Sequence, residues 1–249
     1  MIHYIKFEIK NTFSYSIGMI VGGLLPLLLA IGGYHSTGNS VQNKVAAETL
    51  FATCLPMIPL GLVMLPFTIS FAKDNESGIS KRFSLFGYGK VQQMIAKFIS
   101  IIILVTIVSL IYYFALMNIL PLPRLSEKCI ILAITGILIF TLSFYFLAFT
   151  IAWFFRGFNA VQGIAMVVYF GIGILTGTIG GFEFHGYMKK ISNFIPFKSF
   201  RETLAKHWTQ NDFSLEHVLY KLFVFFVFSL MIFLFFNLYS FIKKRQEEH

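Results

Sequence analysis

The residue types that carry out enzymatic chemistry occur in this sequence, but not in the spacings that enzymes use. His185, His207 and His217 fit no compact metal site and are more simply explained as interfacial histidines. No HExxH helix, GxSxG elbow or phosphate-binding GxxxxGK[ST] loop is present; the run from Gly87 to Lys90 lacks the spacing and the following hydroxyl. We therefore predict a non-catalytic chain with no catalytic residue, cofactor or metal site of its own.

The composition predicts a protein embedded in a membrane. Hydrophobic residues make up 57% of the 249 residues and charged residues only 12%, a balance that soluble domains do not have. A membrane-spanning helix needs about 20 apolar residues, and the chain offers six such intervals. The predicted fold is all-α, a single polytopic transmembrane domain over residues 1–249 with spans at 15–34, 49–71, 98–120, 129–154, 160–181 and 218–242.

Three polar or amphipathic segments flank these spans. Residues 1–14 predict an interfacial helix, because Ile2, Ile5 and Ile9 form one stripe and lysines lie beside it; a frayed basic tail is the alternative. The segments 73–97 and 182–216 interrupt the apolar pattern later in the chain.

The distribution of basic residues predicts the orientation. Lys and Arg concentrate in the joints on one side of the proposed spans, so both termini are expected in the cytosol of a plasma-membrane protein. The 182–216 segment is basic on the other side and is the exception. Since the +9 net charge is spread over joints and forms no soluble basic module, we expect lipid head groups and not nucleic acid as its partner.

The central parts of the proposed spans lack ionisable residues, which disfavours a secondary carrier. If the chain takes part in active transport, another polypeptide must hydrolyse the ATP. The 73–97 segment is the candidate site for that contact: polar groups at 74–77 can begin a short helix, with Ile79, Phe83 and Phe86 on one face. From its pattern alone, this helix suits a groove on a soluble partner and a lipid surface equally well.

The residues of this segment carry a family resemblance. Glu76, Ser77 and Gly78, followed by Lys81, Arg82, Phe83, Leu85 and later Lys97, resemble the first cytosolic loop of type-2 ABC exporter permeases. The stretch 193–204 around Pro196 is similar to that family's re-entrant pair of half-helices, which precedes the sixth span. A proline often stands in the family where Gly87 or Tyr88 lies here.

The resemblance implies a six-span permease with a cytosolic coupling helix at 73–97 and an outer re-entrant hairpin at 182–216. It implies an ABC-type ATPase partner that holds ATP and Mg²⁺, and a second permease copy, identical or not. The implied partner contacts are Glu76, Gly78, Ile79, Arg82, Phe83 and Phe86; Arg156 marks the second cytosolic joint, and Pro196 and Phe197 mark the re-entrant segment.

The small size resembles peptide exporters of Gram-positive bacteria, first the permeases of staphylococcal phenol-soluble modulin exporters and next those of lantibiotic self-protection systems. We therefore expect export of amphipathic peptides. A membrane sensor or assembly scaffold without transport activity is the alternative from another class, and a secondary carrier is a third.

Overall fold

The computed structural model describes residues 2–13, 19–155, 157–182 and 184–247. These residues are 81% helical and contain no strand. Counting bent helices once, the described helices are α1 (Ile2–Phe13), α2 (Ile20–Gly32), α3 (Ser40–Glu76), α4 (Ile79–Leu85), α5 (Lys90–Ile119), α6 (Glu127–Phe154), α7 (Phe158–Leu175), α8 (Gly186–Phe194), α9 (Phe197–Lys206) and α10 (Glu216–Glu247).

Five of these helices, α3, α5, α6, α7 and α10, are long and apolar enough to cross a membrane. The chain is thus a multi-pass membrane protein. The predicted first span, 15–34, differs: its described part is the shorter apolar helix α2, and residues 14–18 lie outside the described residues. The described residues thus contain five candidate spans, and a sixth span at 15–34 stays a prediction.

Helix α3 is the centre of the bundle. Its most apolar window is 89% buried inside the protein, against 22% for α7 and for α10. It begins at Ser40, not at the predicted residue 49, because Asn39 caps it by accepting a hydrogen bond from the backbone N–H of Val41. The polar residues 40–48, predicted as loop, therefore form its first turns.

The prolines of α3 interrupt its regular hydrogen bonding. The helix turns at Leu55 and Pro56, and residues Val63–Phe67 around Pro66 form a wider π-helical turn. The Thr68 hydroxyl donates to the Val63 carbonyl at 3.1 Å. Such internal partners are needed, since lipid offers no donor or acceptor to a broken helix.

Helices α2 and α3 cross in backbone contact at two glycines. A Cβ atom on Gly61 would lie 2.5 Å from the Gly22 Cα, and one on Gly22 would lie 2.6 Å from the Leu62 nitrogen. Only two residues without side chains permit this approach, which is how membrane helices commonly pack.

The α8–α9 hairpin inserts its apex into the bundle. Phe197, at the start of α9, packs edge-on against Phe140 and Phe144, about halfway along α6. Phe200 occupies the space that Gly136 leaves on α6. At the base of the hairpin, the Trp208 indole donates to the Pro123 carbonyl at 2.8 Å.

The predicted fifth span, 160–181, ends earlier than expected. Helix α7 stops at Leu175, and the following turn contains Gly177, Gly180 and Gly181 at φ of 67°, 85° and 62°. These left-handed conformations favour glycine and are incompatible with a continuing helix. We call the bundle end that holds α1 and α4 the coupling end, and the end from which the α8–α9 hairpin descends the hairpin end.

Candidate functional site

The candidate site is α4 and the elements that hold it at the coupling end. Gly78, at φ 72°, reverses the chain between α3 and α4, and Gly87, at φ 87°, reverses it again before α5. Both need the left-handed region that glycine enters without strain. Helix α4 is therefore a short segment set off from the two long helices on either side.

Gln93 fastens α4 to the first turn of α5. Its buried side-chain amide donates to the carbonyls of Ser80 and Tyr88 at 3.0 and 2.8 Å, and to the Ser84 hydroxyl at 3.3 Å. One side chain thus contacts both the helix and the turn that follows it. Movement of α4 relative to α5 requires these bonds to break.

An aromatic cluster fixes α4 to the N-terminal helix. The Phe83 ring lies 4.7 Å from that of Tyr4 and 5.4 Å from that of Phe7, and Tyr88 stacks on Tyr4 at 5.1 Å, all between centroids. Tyr4 is buried and Phe83 half-buried. Helix α1 therefore contacts protein on the side that carries Tyr4, Glu8 and Thr12.

A buried charge cluster joins α1, α3 and α5 directly beneath this aromatic cluster. Lys97 donates to Glu8 at 2.9 Å and to Asp74 at 2.7 Å, and all three side chains are buried. The ammonium also lies 5.8 Å from the Phe71 ring centroid. Buried ions need such close partners, because each would otherwise lose its hydration without compensation.

Tyr4 extends this cluster toward α4. Burial, followed by the hydrogen bond to Glu8 and the charges of Glu8 and Asp74, raises the pKa of Tyr4 well above its usual range. The phenol therefore stays protonated and remains a donor to Glu8. The charge cluster and the aromatic cluster are in this way one connected unit.

Glu76, the last residue of α3, connects the segment just before α4 to the start of α7 at the same end of the bundle. Its carboxylate accepts a hydrogen bond from the backbone N–H of Phe158 at 2.8 Å, at the start of α7. This satisfies one of the free donors at a helix N-terminus, where negative charge is favourable. An open cavity of about 500 Å³ adjoins the contact, lined in part by Asn75, Trp153 and Gly157.

The sequence that forms this arrangement matches a known protein family. The family described as ABC-2 family transporter protein matches residues 32–206, from the end of α2 to the end of α9. The chain belongs to the ABC-2 transporter family. No curated protein and no solved structure matches it.

Membership in the ABC-2 family fits a permease, the membrane subunit of an ABC transporter, and such subunits are generally non-catalytic. The family also implies an ABC ATPase as partner. The match covers α4 and both of its glycine turns, so the candidate site lies inside the family region.

Within this ABC-2 chain, the predicted contact residues do not form one surface. Phe83 faces α1 and Glu76 contacts α7, whereas Phe86 is 78% exposed, although Phe83 and Phe86 had been placed on one docking face. Arg82 is exposed and Ile79 half-buried. Arg156, predicted for the second joint, lies outside the described residues.

Sequence reasoning missed several residues of the site. Leu85 is 87% exposed beside Phe86, but it had entered only through the family resemblance. The Tyr4, Glu8 and Thr12 stripe carried a signal in its four-residue spacing, which the isoleucine stripe of the same helix obscured. Gln93 gave no signal, because a single glutamine in an amphipathic run is typical of a solvated face.

Proposed function

We propose that this chain is the transmembrane permease subunit of an ATP-driven exporter, and that α4 is its coupling helix to a separate ATPase subunit. The family match carries the proposal, since ABC-2 membership implies both the membrane role and the ATPase partner. The isolation of α4 between two glycine turns supports it, because a coupling element must be distinct from the spans that it moves.

The contact surface that we propose is narrower than the predicted one. Leu85 and Phe86 are the exposed apolar groups of the α4 segment, and exposed Arg82 supplies a charge next to them. Exposed apolar side chains of this size are typical of protein-binding sites. Ile79 and Gly78 shape the segment, and ATP and Mg²⁺ would bind on the partner.

Phe83 and Glu76 have a second role in this proposal. Phe83 would transmit displacement of α4 to α1, and Glu76 would transmit it to α7 through the Phe158 N–H. Helix α3, which ends at Glu76, connects the same point to the bundle centre. Rigid elements joined by a few contacts are how small shifts at one site become larger movements at another.

The remaining features of the proposal rest on the family resemblance. We infer that two permease units dimerise around the transport path, that both termini face the cytosol and that the α8–α9 hairpin re-enters the plasma membrane from outside. Amphipathic peptides, as in Gram-positive peptide exporters, are the substrate class. The depth of the hairpin apex against Phe140 and Phe144 supports the re-entrant assignment.

Co-purification with the ATPase tests the coupling role. The double substitution Leu85→Asp with Phe86→Asp should abolish capture of the ATPase and its ATP-dependent transport, because two carboxylates would replace the apolar contact. Tyr187→Asp at the hairpin end, where the ring is 84% exposed, is the matched control and should leave capture intact. Unchanged capture and transport in the double variant would refute the role of α4.

The substrate class needs its own measurement. Proteoliposomes that contain the permease and its ATPase should move a fluorescent amphipathic helical peptide only with ATP, and a scrambled peptide without an apolar face should not move. Equal movement of both peptides would remove the amphipathic specificity while leaving the permease role in place.

A further inference from the structure

A polar cavity at the hairpin end has no role in the coupling proposal. It lies between the α8–α9 hairpin and the glycine turn after α7, with a volume of about 290 Å³. Its lining includes three basic residues, Lys189, Lys198 and Arg201, and among the described lining residues one acidic residue, Glu202.

Two of the cations lie on the helix whose start packs into the bundle. Phe197, Phe200 and Leu204 bury one face of α9 in the bundle. Lys198 and Arg201 lie on the same helix beside Phe197, whose ring contacts the middle of α6. With a rise of 1.5 Å per residue, that point is about 20 Å from either end of α6. Ionisable groups beside a segment that packs among membrane-spanning helices indicate a functional site.

Among the described residues, the positive charge of the cavity is largely uncompensated. Lys198 approaches Glu202 only to 3.9 Å, and both side chains are substantially exposed. Arg201 is half-buried, and within the described part of the chain it forms no ion pair or hydrogen bond. A guanidinium has five donors in a fixed plane that match phosphate oxygens. Ser192 and Asn193 add further polar groups to the lining.

The surroundings of the cavity are apolar. The lining also includes the apolar residues Leu175, Phe182 and Phe184, and α8 exposes Tyr187, Met188 and Ile191. An anion that binds here therefore meets cations inside and an apolar surface outside. A free inorganic ion would use only the first of these features, whereas a lipid uses both.

We propose that this cavity binds the phosphodiester head group of an anionic phospholipid, whose acyl chains lie along the apolar surface of α8. Basic pockets between transmembrane helices bind such head groups by the same combination of charge and apolar contact. The site would anchor the hairpin in anionic membranes and is independent of the exporter proposal.

Lipid binding to the full chain tests the site without any ATPase. In detergent, native mass spectrometry should show more bound phosphatidylglycerol than phosphatidylcholine. Lys198→Gln with Arg201→Gln should weaken phosphatidylglycerol binding about 30-fold, since each basic residue near an anionic head group contributes about fivefold. Phosphatidylcholine binding should not change.

Two lysines provide matched controls. Lys190→Gln on α8 and Lys206→Gln on α9 remove exposed charges from the same helices outside the lining, and should change binding by less than about twofold. If the double variant does not fold, Lys189→Gln removes an exposed lining cation and should still weaken binding about fivefold.

Soluble anions distinguish the source of the phosphate. Inorganic phosphate and glycerol phosphate should compete only weakly with phosphatidylglycerol, because they lack the apolar contact. Equal affinity for the soluble anions, no preference over phosphatidylcholine, or unchanged binding in all lining variants would each overturn the assignment.

Discussion

Lys97 is the residue on which the coupling end depends most. It forms ion pairs with two buried carboxylates from different helices, Glu8 and Asp74. The Tyr4 phenol extends the cluster by donating to Glu8. A buried network of this kind holds only while each member keeps its partners.

Replacing Lys97 by Met should destabilise the protein by about 3–5 kcal/mol, because two carboxylates would remain buried without a counter-charge. Thermal unfolding of the purified protein in detergent measures this effect. Lys6→Met, which removes an exposed lysine from α1, is the control and should stay within about 0.5 kcal/mol.

A triple variant separates the lost charge from lost packing. Glu8→Gln, Asp74→Asn and Lys97→Met together should recover much of the stability, since neutral groups need no counter-charge. Equal unfolding temperatures for Lys97→Met and the wild type would show that the cluster contributes nothing.

At this scale the sequence had limited predictive power. Lys97 and Glu8 are 89 residues apart in the chain, and no local pattern pairs residues at that distance. The face of α1 was assigned to lipid because isoleucine dominates hydrophobic patterns. Phe83 was predicted to face the ATPase, but its ring packs against Tyr4 and Phe7. The pattern of α4 alone does not show where α1 lies, so it could not predict this contact.

Among the elements, the connection of α4 to α5 decides how the coupling helix can move. Gln93→Leu should raise amide exchange in residues 79–86 about tenfold, because it removes the two N–H donors that the Gln93 amide shares among three acceptors. Each donor contributes about 1 kcal/mol, and apolar packing of the leucine offsets part of the loss. Hydrogen–deuterium exchange with mass spectrometry measures it.

Gln92→Leu is the neighbouring control for this measurement. Gln92 is exposed and accepts a single hydrogen bond, from the Gly89 N–H, so exchange in α4 should change little. The same increase in both variants would mean that Gln93 does not specifically hold α4.

The crossing of α2 and α3 depends on the absence of a side chain at Gly61. Gly61→Ala should destabilise the protein by about 1–3 kcal/mol, since its methyl group would lie 2.5 Å from the Gly22 Cα. Thermal unfolding in detergent measures the change. Gly163→Ala, where a methyl group would meet nothing within 4 Å, should be neutral or slightly stabilising; equal losses in both would contradict close packing at the crossing.

Elements were more predictable than residues. The apolar intervals indicated helices at α3, α5, α6, α7 and α10 because membrane spans carry a strong length signal. The differences between predicted and observed helices lie at the helix ends. Polar residues 40–48 are helical although a loop was predicted, and a glycine turn follows Leu175 where the apolar pattern predicted more helix. Local capping and left-handed turns decide those ends, and hydropathy does not measure them.

For the whole molecule, the two ends of the bundle must face opposite sides of the membrane. Single cysteines at Lys81 and Thr209, both exposed, should react with a membrane-impermeant maleimide from opposite sides of intact cells and inverted vesicles. The native Cys54 and Cys129 are buried and should contribute little background. Labelling of both positions from one side would refute the topology.

The buried cluster around Lys97 also has a consequence for the order in which the chain is made. Glu8 and Asp74 leave the ribosome 89 and 23 residues before the lysine that pairs with both of them, so α1 cannot complete its docking until α5 has been synthesised. Membrane-inserted nascent chains should therefore keep α1 open to protease until translation passes Lys97. Early protection would show that α1 docks without this ion pair.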